Sequence, residues 1–437
     1  MRILLALHQF FPEFRAGTET LARRTAEELQ RRGHQVWLLT GGVHEPEQPL
    51  LRRTFVESLE VWRCNPSPPP SPLAGGMALS YYRPELEGCF QALLEELQPD
   101  LVHVFHLRRL TISLVAAASA RGLPLVASLT DYWMACPTGQ LQYPEVRPCP
   151  GPLPGSGNCL QHLAGRVVPP LRWLPLPLWQ LLMAWAPLRG LRELRQRPAA
   201  MAEALARLDR VLVPTSLMYR SFKQLGFATD RFALCPYGLD LRGLEKQPAR
   251  QPWPGDQQRP LRVGFIGSFT PAKGVHVLLE AVAALGPDWP AQVLIYGQAS
   301  DHPVYAAGLQ QQARKLPQVR WAGVFDSGEV FAVLAELDLL VVPSLWRENA
   351  PLIVLQALAS GLPLLLSDVE GMADQVQLNV NAWSFSPGDS RALAALLQRA
   401  SRRPAALADL INRGGQPRSI ADYGDQLEHL YGQLLED

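Results

Sequence analysis

A rhythm constrains this chain more than any single motif: short apolar runs recur, each followed by a stretch with helical spacing. Residues 3–7 (ILLAL), 36–39, 101–105, 124–129 and 210–215 read as buried strands, and helical patterns such as residues 18–32 and 86–97 fall between them. Strands with so little polar alternation need cover on both faces, which helical crossovers in a parallel sheet provide. The rhythm stops at residues 246–260, KQPARQPWPGDQQRP, and then restarts with RVGFIG, QVLIYG, VRWAG and LLVVP. A length of 437 residues also exceeds what one core organises. The expectation is an α/β protein of two doubly wound, Rossmann-like domains. The first spans residues 1–240 and carries a basic Pro/Trp-rich insertion near 160–200. A linker at 241–260 leads to a second domain at 261–415, and a helix at 416–437 is expected to pack back on the first domain.

A formal net charge of +1 gives no polycation for nucleic acid, and no G-x-G-x-x-G follows the first strand, which weakens a nicotinamide-binding reading. Six cysteines in a chain this long do not form a secreted disulfide framework, and the apolar run at the start is too short for a signal peptide. The predicted location is cytoplasmic, with one qualification at residues 167–188, VVPPLRWLPLPLWQLLMAWAPL. Its prolines and Arg172 argue against a spanning helix. Two readings stay open for it: a peripheral element on an anionic membrane, with Trp173, Trp179 and Trp185 beside a cluster of arginines, or a buried cap on the first domain.

In doubly wound sheets, ligands sit beyond the carboxyl ends of the strands. One such loop is FIGSFTPAKGVH, residues 265–276, where Lys273 lies near the start of a helix. A cation there adds to the positive helix end and is unfavourable unless an anion binds, so a phosphate site competes with a plain surface lysine. The other is PSLWRENAPL, residues 343–352, in which Glu348 precedes a helix opened by Pro351. Glu348 reads either as a helix-end stabiliser or as an acceptor for a sugar hydroxyl that also stabilises positive charge at an anomeric carbon.

These segments, with the opening HQFFPEFRAGTETLARRTAEELQRRGHQVWLLT and the crossing PYGLD at 236–240, resemble the family 4 retaining glycosyltransferases of the GT-B fold over nearly the whole chain. The resemblance implies two domains facing across a cleft, with the acceptor on the first and a nucleotide diphosphate sugar on the second. It implies a bacterial polysaccharide or glycolipid product, a glycan or lipid-linked acceptor, and catalysis by Glu348 and Lys273. The family's E-x7-E pair falls on Glu348 and Gln356, its usual Arg beside the strand-end glycine is Ser268, and its frequent His-Asp pair is Thr130-Asp131. Gly17 and Gly371 match positions where the backbone approaches the donor. No divalent ion is required, in keeping with the lack of a D-x-D pair in these loops. A catalytically weak sugar-nucleotide or glycan binding protein is the alternative, because several customary polar positions are changed. Separately, Cys136, Cys149, Cys159 and His162 in a Pro/Gly-rich stretch suggest a structural zinc, with free thiols as the alternative.

Overall fold

The computed structural model describes residues 1–70, 76–143, 147–185, 188–255, 258–299, 302–411 and 417–436. The chain divides into two compact units: Met1–Tyr237 with Ile420–Asp437, and Gly238–Ser419.

Unit 1 is built on an eight-stranded sheet. Its strands are β1 (Arg2–Leu7), β2 (Gln35–Gly41), β3 (Leu51–Val56), β4 (Leu59–Cys64), β5 (Leu101–Val104), β6 (Leu125–Ser128), β7 (Arg210–Val213) and β8 (Phe232–Leu234), in the order β3-β4-β2-β1-β5-β6-β7-β8. All neighbours are parallel except β3, which returns antiparallel along β4. The central strand β1 runs through the core, with Ile3 to Leu7 all fully buried. The sequence reading found β1, β2, β5, β6 and β7 but not β3, β4 or β8. The β3–β4 turn explains part of the miss. Glu57 takes a left-handed φ of 53° there, in a place where Asn or Gly would have announced a hairpin.

The helix Ile420–Glu436 completes unit 1. It buries Tyr423, Leu427 and Tyr431, and its polar bonds reach the sheet itself. The Tyr431 hydroxyl lies 2.5 Å from His103 Nδ1, and the Tyr423 hydroxyl 3.1 Å from Ser128 Oγ. His103 Nε2 meets Ser128 Oγ at 2.9 Å. Full burial pushes the His103 pKa down to about 3, so the ring is neutral in the folded protein. At the rim, Arg32 donates to Asp425 at 2.6 Å and to the Ala421 carbonyl at 2.7 Å.

Unit 2 carries a six-stranded, fully parallel sheet of β9 (Leu261–Ile266), β10 (Ala291–Tyr296), β11 (Val319–Gly323), β12 (Leu339–Val342), β13 (Leu364–Ser367) and β14 (Ala382–Phe385), in the order β11-β10-β9-β12-β13-β14. The expected linker at 241–260 is instead a packed strap of this unit, with residues 256 and 257 outside the described residues. Trp253 is buried in the core beside Leu261 and Val263, and its indole donates to the Arg259 carbonyl at 3.1 Å. Arg250 donates to the carbonyls of Leu334, Leu337 and Ser360. Two large side chains with many partners hold a segment that its polar, Pro-rich composition advertised as loose.

Candidate functional site

In unit 2, β9 ends at Ile266 and is followed by a single 3-10 turn, Pro271–Lys273. Gly274 then takes φ 70°, and the helix Val275–Leu285 begins. Lys273 therefore sits on its own turn rather than in the helix. Only glycine fits at 274: a Cβ there would lie 1.8 Å from the Pro343 carbonyl oxygen. That close approach joins the two loops picked out in the sequence. Leu345 N–H donates to the Ala272 carbonyl at 2.7 Å, which locks the loop after β12 against the turn that carries Lys273.

Glu348 is 4% exposed. Its Oε1 accepts from Lys273 Nζ at 2.7 Å, Ser344 Oγ at 2.7 Å and Trp346 Nε1 at 2.8 Å. The Lys273 ammonium also lies 5.2 Å from the centroid of the Trp346 ring. The two residues expected to grip sugar and phosphate separately are thus an ion pair with each other. Behind them, Glu348 N–H donates to the Glu370 carbonyl at 3.1 Å, and Arg347 is ion-paired with the Glu370 carboxylate. Gly371 follows with φ 88°. Pro351 caps the helix Leu352–Ala359 rather than opening its first turn, and Gln356 lies half-buried one turn inside it. Ser268 is half-buried in the loop just after β9.

In unit 1, the carboxyl ends of the neighbouring strands β1, β5 and β6 and the first helix bring together four groups, His8, Glu19, His106 and Asp131, of which the sequence reading singled out only the last. His106 Nε2 lies 2.9 Å from Asp131 Oδ2, and the Arg108 N–H donates to His106 Nδ1 at 3.1 Å. A neutral ring that makes both bonds carries its proton on Nε2. Asp131 Oδ1 accepts from the Trp133 N–H at 2.7 Å. The Thr130 hydroxyl donates to the Phe105 carbonyl at 3.3 Å. An imidazole therefore stands beside Asp131 although position 130 is a threonine.

The His8 ring lies tilted by 39° against the His106 ring, with centroids 4.0 Å apart, and His8 Nε2 stands 3.7 Å from Glu19 Oε1. Glu19 lies fully buried in the first turn of the helix Gly17–Arg31, with Gly17 exposed as its first residue. Burial is the main cause of two opposite shifts: the Glu19 carboxyl rises and the His8 imidazole falls well below its ordinary value. Both shifts favour the uncharged forms. A helix–sheet packing pattern would have filled such a position with an apolar residue, and the E at the third place of GTE was the available signal.

Cys136, Cys149, Cys159 and His162 line one small cavity. Among the described residues, no group of three or more His, Cys, Asp or Glu side chains stands where it could hold a metal ion. Cys136 Sγ faces Thr138 Oγ1 at 3.2 Å, and His162 Nε2 accepts from Arg166 Nε at 3.3 Å. Burial pushes the Cys159 thiol up to about 12 and raises Cys149 as well, which keeps both protonated.

The architecture is that of the GT-B glycosyltransferases. Sucrose-phosphate synthase from Thermosynechococcus elongatus aligns over 99% of this chain and 99% of its own at 17% identity, with a TM-score of 0.68. Anabaena HepE, solved in complex with UDP and glucose, aligns over 99% of both chains at 17% identity and a TM-score of 0.64. The chain belongs to Glycosyltransferase Family 4, whose profile matches residues 15–242, while that of the glycosyl transferases group 1 matches residues 260–402. Among curated relatives, the amylovoran biosynthesis glycosyltransferase AmsK of Erwinia amylovora is 29% identical over 35% of this chain, and glycogen synthase of Mycobacterium tuberculosis is 29% identical over 39% of it. The chain spans 39% and 42% of the length of these two relatives.

Proposed function

We propose that the protein is a retaining glycosyltransferase that moves a sugar from a nucleotide diphosphate sugar to an acceptor hydroxyl in the synthesis of a bacterial polysaccharide or glycolipid. The observation that carries this reading is the buried Glu348 carboxylate held by Lys273, Ser344 and Trp346 at the carboxyl end of β12. The amylovoran biosynthesis glycosyltransferase and the glycogen synthase among the chain's relatives support the product class, and the UDP and glucose in HepE support the donor class.

In this mechanism Lys273 turns from Glu348 toward the donor diphosphate and Glu348 takes a hydroxyl of the transferred sugar. The bond between the anomeric carbon and the diphosphate oxygen breaks, and the leaving oxygen keeps the electron pair, stabilised by the Lys273 ammonium. The acceptor oxygen bonds to the anomeric carbon from the same face, and its proton passes to the departing diphosphate. Positioning and leaving-group stabilisation supply the acceleration, so no strong base is needed. In unit 1, Asp131 orients the acceptor hydroxyl and His106 holds Asp131 in place.

The test is turnover of UDP-sugars against glycan and lipid-linked acceptors, with the anomeric configuration of the product read by NMR. Inversion would refute retention. Tight UDP-sugar binding with no transfer to any acceptor would make the chain a binding protein of the same fold, the reading that Gln356 and Ser268 favour.

A further inference from the structure

The segment left open between a membrane element and a buried cap is, in its described residues, ordered and covered on one side only. The helix Gly157–Val167 leads into a 3-10 turn, Pro169–Trp173, and then into the helix Leu176–Trp185. Gln161 Nε2 donates to the carbonyls of Arg172 and Leu174 at 2.8 and 2.9 Å, tying the turn to the first helix. The two helices touch at Gly157, where a Cβ would come within 3.0 Å of the Gln180 backbone nitrogen. The element is rigidly built.

The second helix is apolar around most of its circumference. Trp179 and Met183, one turn apart, are buried in the core of unit 1. Leu178, Leu181, Leu182 and Trp185 form a second stripe at helical spacing, and all four are exposed. Val167, Val168, Trp173, Leu174 and Leu188 extend the exposed apolar surface on either side, with Trp173 68% and Trp185 80% exposed. A helix with two apolar stripes, of which packing uses one, has a second partner to find.

Charge says which. Arg166, Arg189, Arg192 and Arg195 are exposed around this surface, and Arg172 lies over the Trp173 ring at 5.1 Å. Between residues 157 and 200 the sequence has one acid, Glu193, which is buried and engaged by Arg189 Nε at 2.7 Å and the Ala78 N–H at 2.9 Å. Leucines flanked by tryptophans, with arginines and no exposed acid within residues 157–200, match the boundary of an anionic bilayer: acyl chains take the leucines, the headgroup region takes the indoles, and phosphates take the guanidinium groups. At about 1.5 Å of rise per residue, the ten-residue helix Leu176–Trp185 is about half the thickness of a bilayer core, and no helix among the described residues is long and apolar enough to cross one.

We propose that this surface, centred on Leu178, Leu181, Leu182 and Trp185, seats unit 1 on an anionic lipid surface. The inference does not depend on sugar transfer, and its test measures none. The full chain is sedimented with phosphatidylcholine vesicles with and without one-third phosphatidylglycerol, while tryptophan emission is followed. Binding to the anionic vesicles, a blue-shifted emission and release as salt rises are expected. The double variant L181E/W185E should lose roughly tenfold or more in vesicle affinity while keeping the melting temperature of the wild type. Absence of wild-type binding to anionic vesicles, or equal binding by the variant, overturns the proposal. So does a wild-type dimer in lipid-free solution that L181E/W185E dissociates, which would assign the surface to a second copy of the chain.

Discussion

Replacing Glu348 by Gln isolates what the carboxylate does as a charge. Glutamine is nearly isosteric, and its carbonyl oxygen can still accept from Ser344 Oγ and Trp346 Nε1, both within 2.8 Å of Oε1 in the wild type. Only the ion pair to Lys273 is lost. The carboxylate side chain is 5% exposed and the lysine 26%, so the pair lies between a surface bridge worth about 0–1 kcal/mol and a buried one whose disruption costs about 3–5 kcal/mol. A stability loss of about 1–2 kcal/mol follows, small enough for the variant to fold. For ligands the sign reverses. A diphosphate must draw Lys273 away from Glu348, and in the variant that competition is gone, so UDP should bind up to about tenfold more tightly, the factor that about 1.4 kcal/mol represents. Transfer should still fall by about 10²–10³-fold, as for loss of one preorganised charge-stabilising contact in a transition state. Calorimetry with UDP and steady-state transfer rates measure the two effects. Weaker UDP binding in the variant would show that Glu348 aids the nucleotide directly, and an unchanged rate would remove it from the chemistry.

Lys273→Ala should weaken UDP and the intact donor alike by about tenfold or more, and equal affinity in calorimetry would end its assignment to the diphosphate. His106→Gln, which keeps a donor to Asp131, should retain transfer within about tenfold of wild type, whereas His106→Ala should lose about 10²-fold; equal losses would contradict a positioning role. Because His103 is neutral when folded, with its pKa down at about 3 against an ordinary value of 6.5, the unfolded chain takes up a proton first as pH falls. Its contribution is whole above pH 6.5 and is lost on acidification toward 3, amounting to about 2 kcal/mol by pH 5. Thermal melts from pH 7 to 5 should show this slope in the wild type and a flatter one in His103→Gln.

The sequence made the repeating strands readable because each central strand is a nearly unbroken apolar run, and Lys273 and Glu348 because each follows such a run at its carboxyl end. Cooperation between them was not readable. Their ion pair depends on the contact of Gly274 with Pro343, across a separation of 75 residues between the paired side chains. His106 was missed for a like reason: its partner Asp131 lies 25 positions away on the neighbouring strand, and LVHVFHLRR offers no spacing that marks its second histidine. Glu19 is an acid in a first helical turn, a common position for one at the positive helix end, and nothing local in the sequence marks it as buried. The strap at 241–260 was misjudged because Trp253 and Arg250 find their partners in distant segments, while local composition reports only the absence of helix or strand.

The helix Ile420–Glu436 has a consequence for how the protein is made. During synthesis every residue of unit 2 emerges before that helix, so the second unit can close its core while the first still lacks a piece. Until the helix arrives, His103 and Ser128 face a gap in place of Tyr431 and Tyr423, and the apolar bed for Leu427 is open to solvent. Translation order therefore inverts assembly order between the two units: unit 1 begins before unit 2 and is completed after it, and a product cut short within the helix Ile420–Glu436 would pair a finished second unit with an incomplete first one.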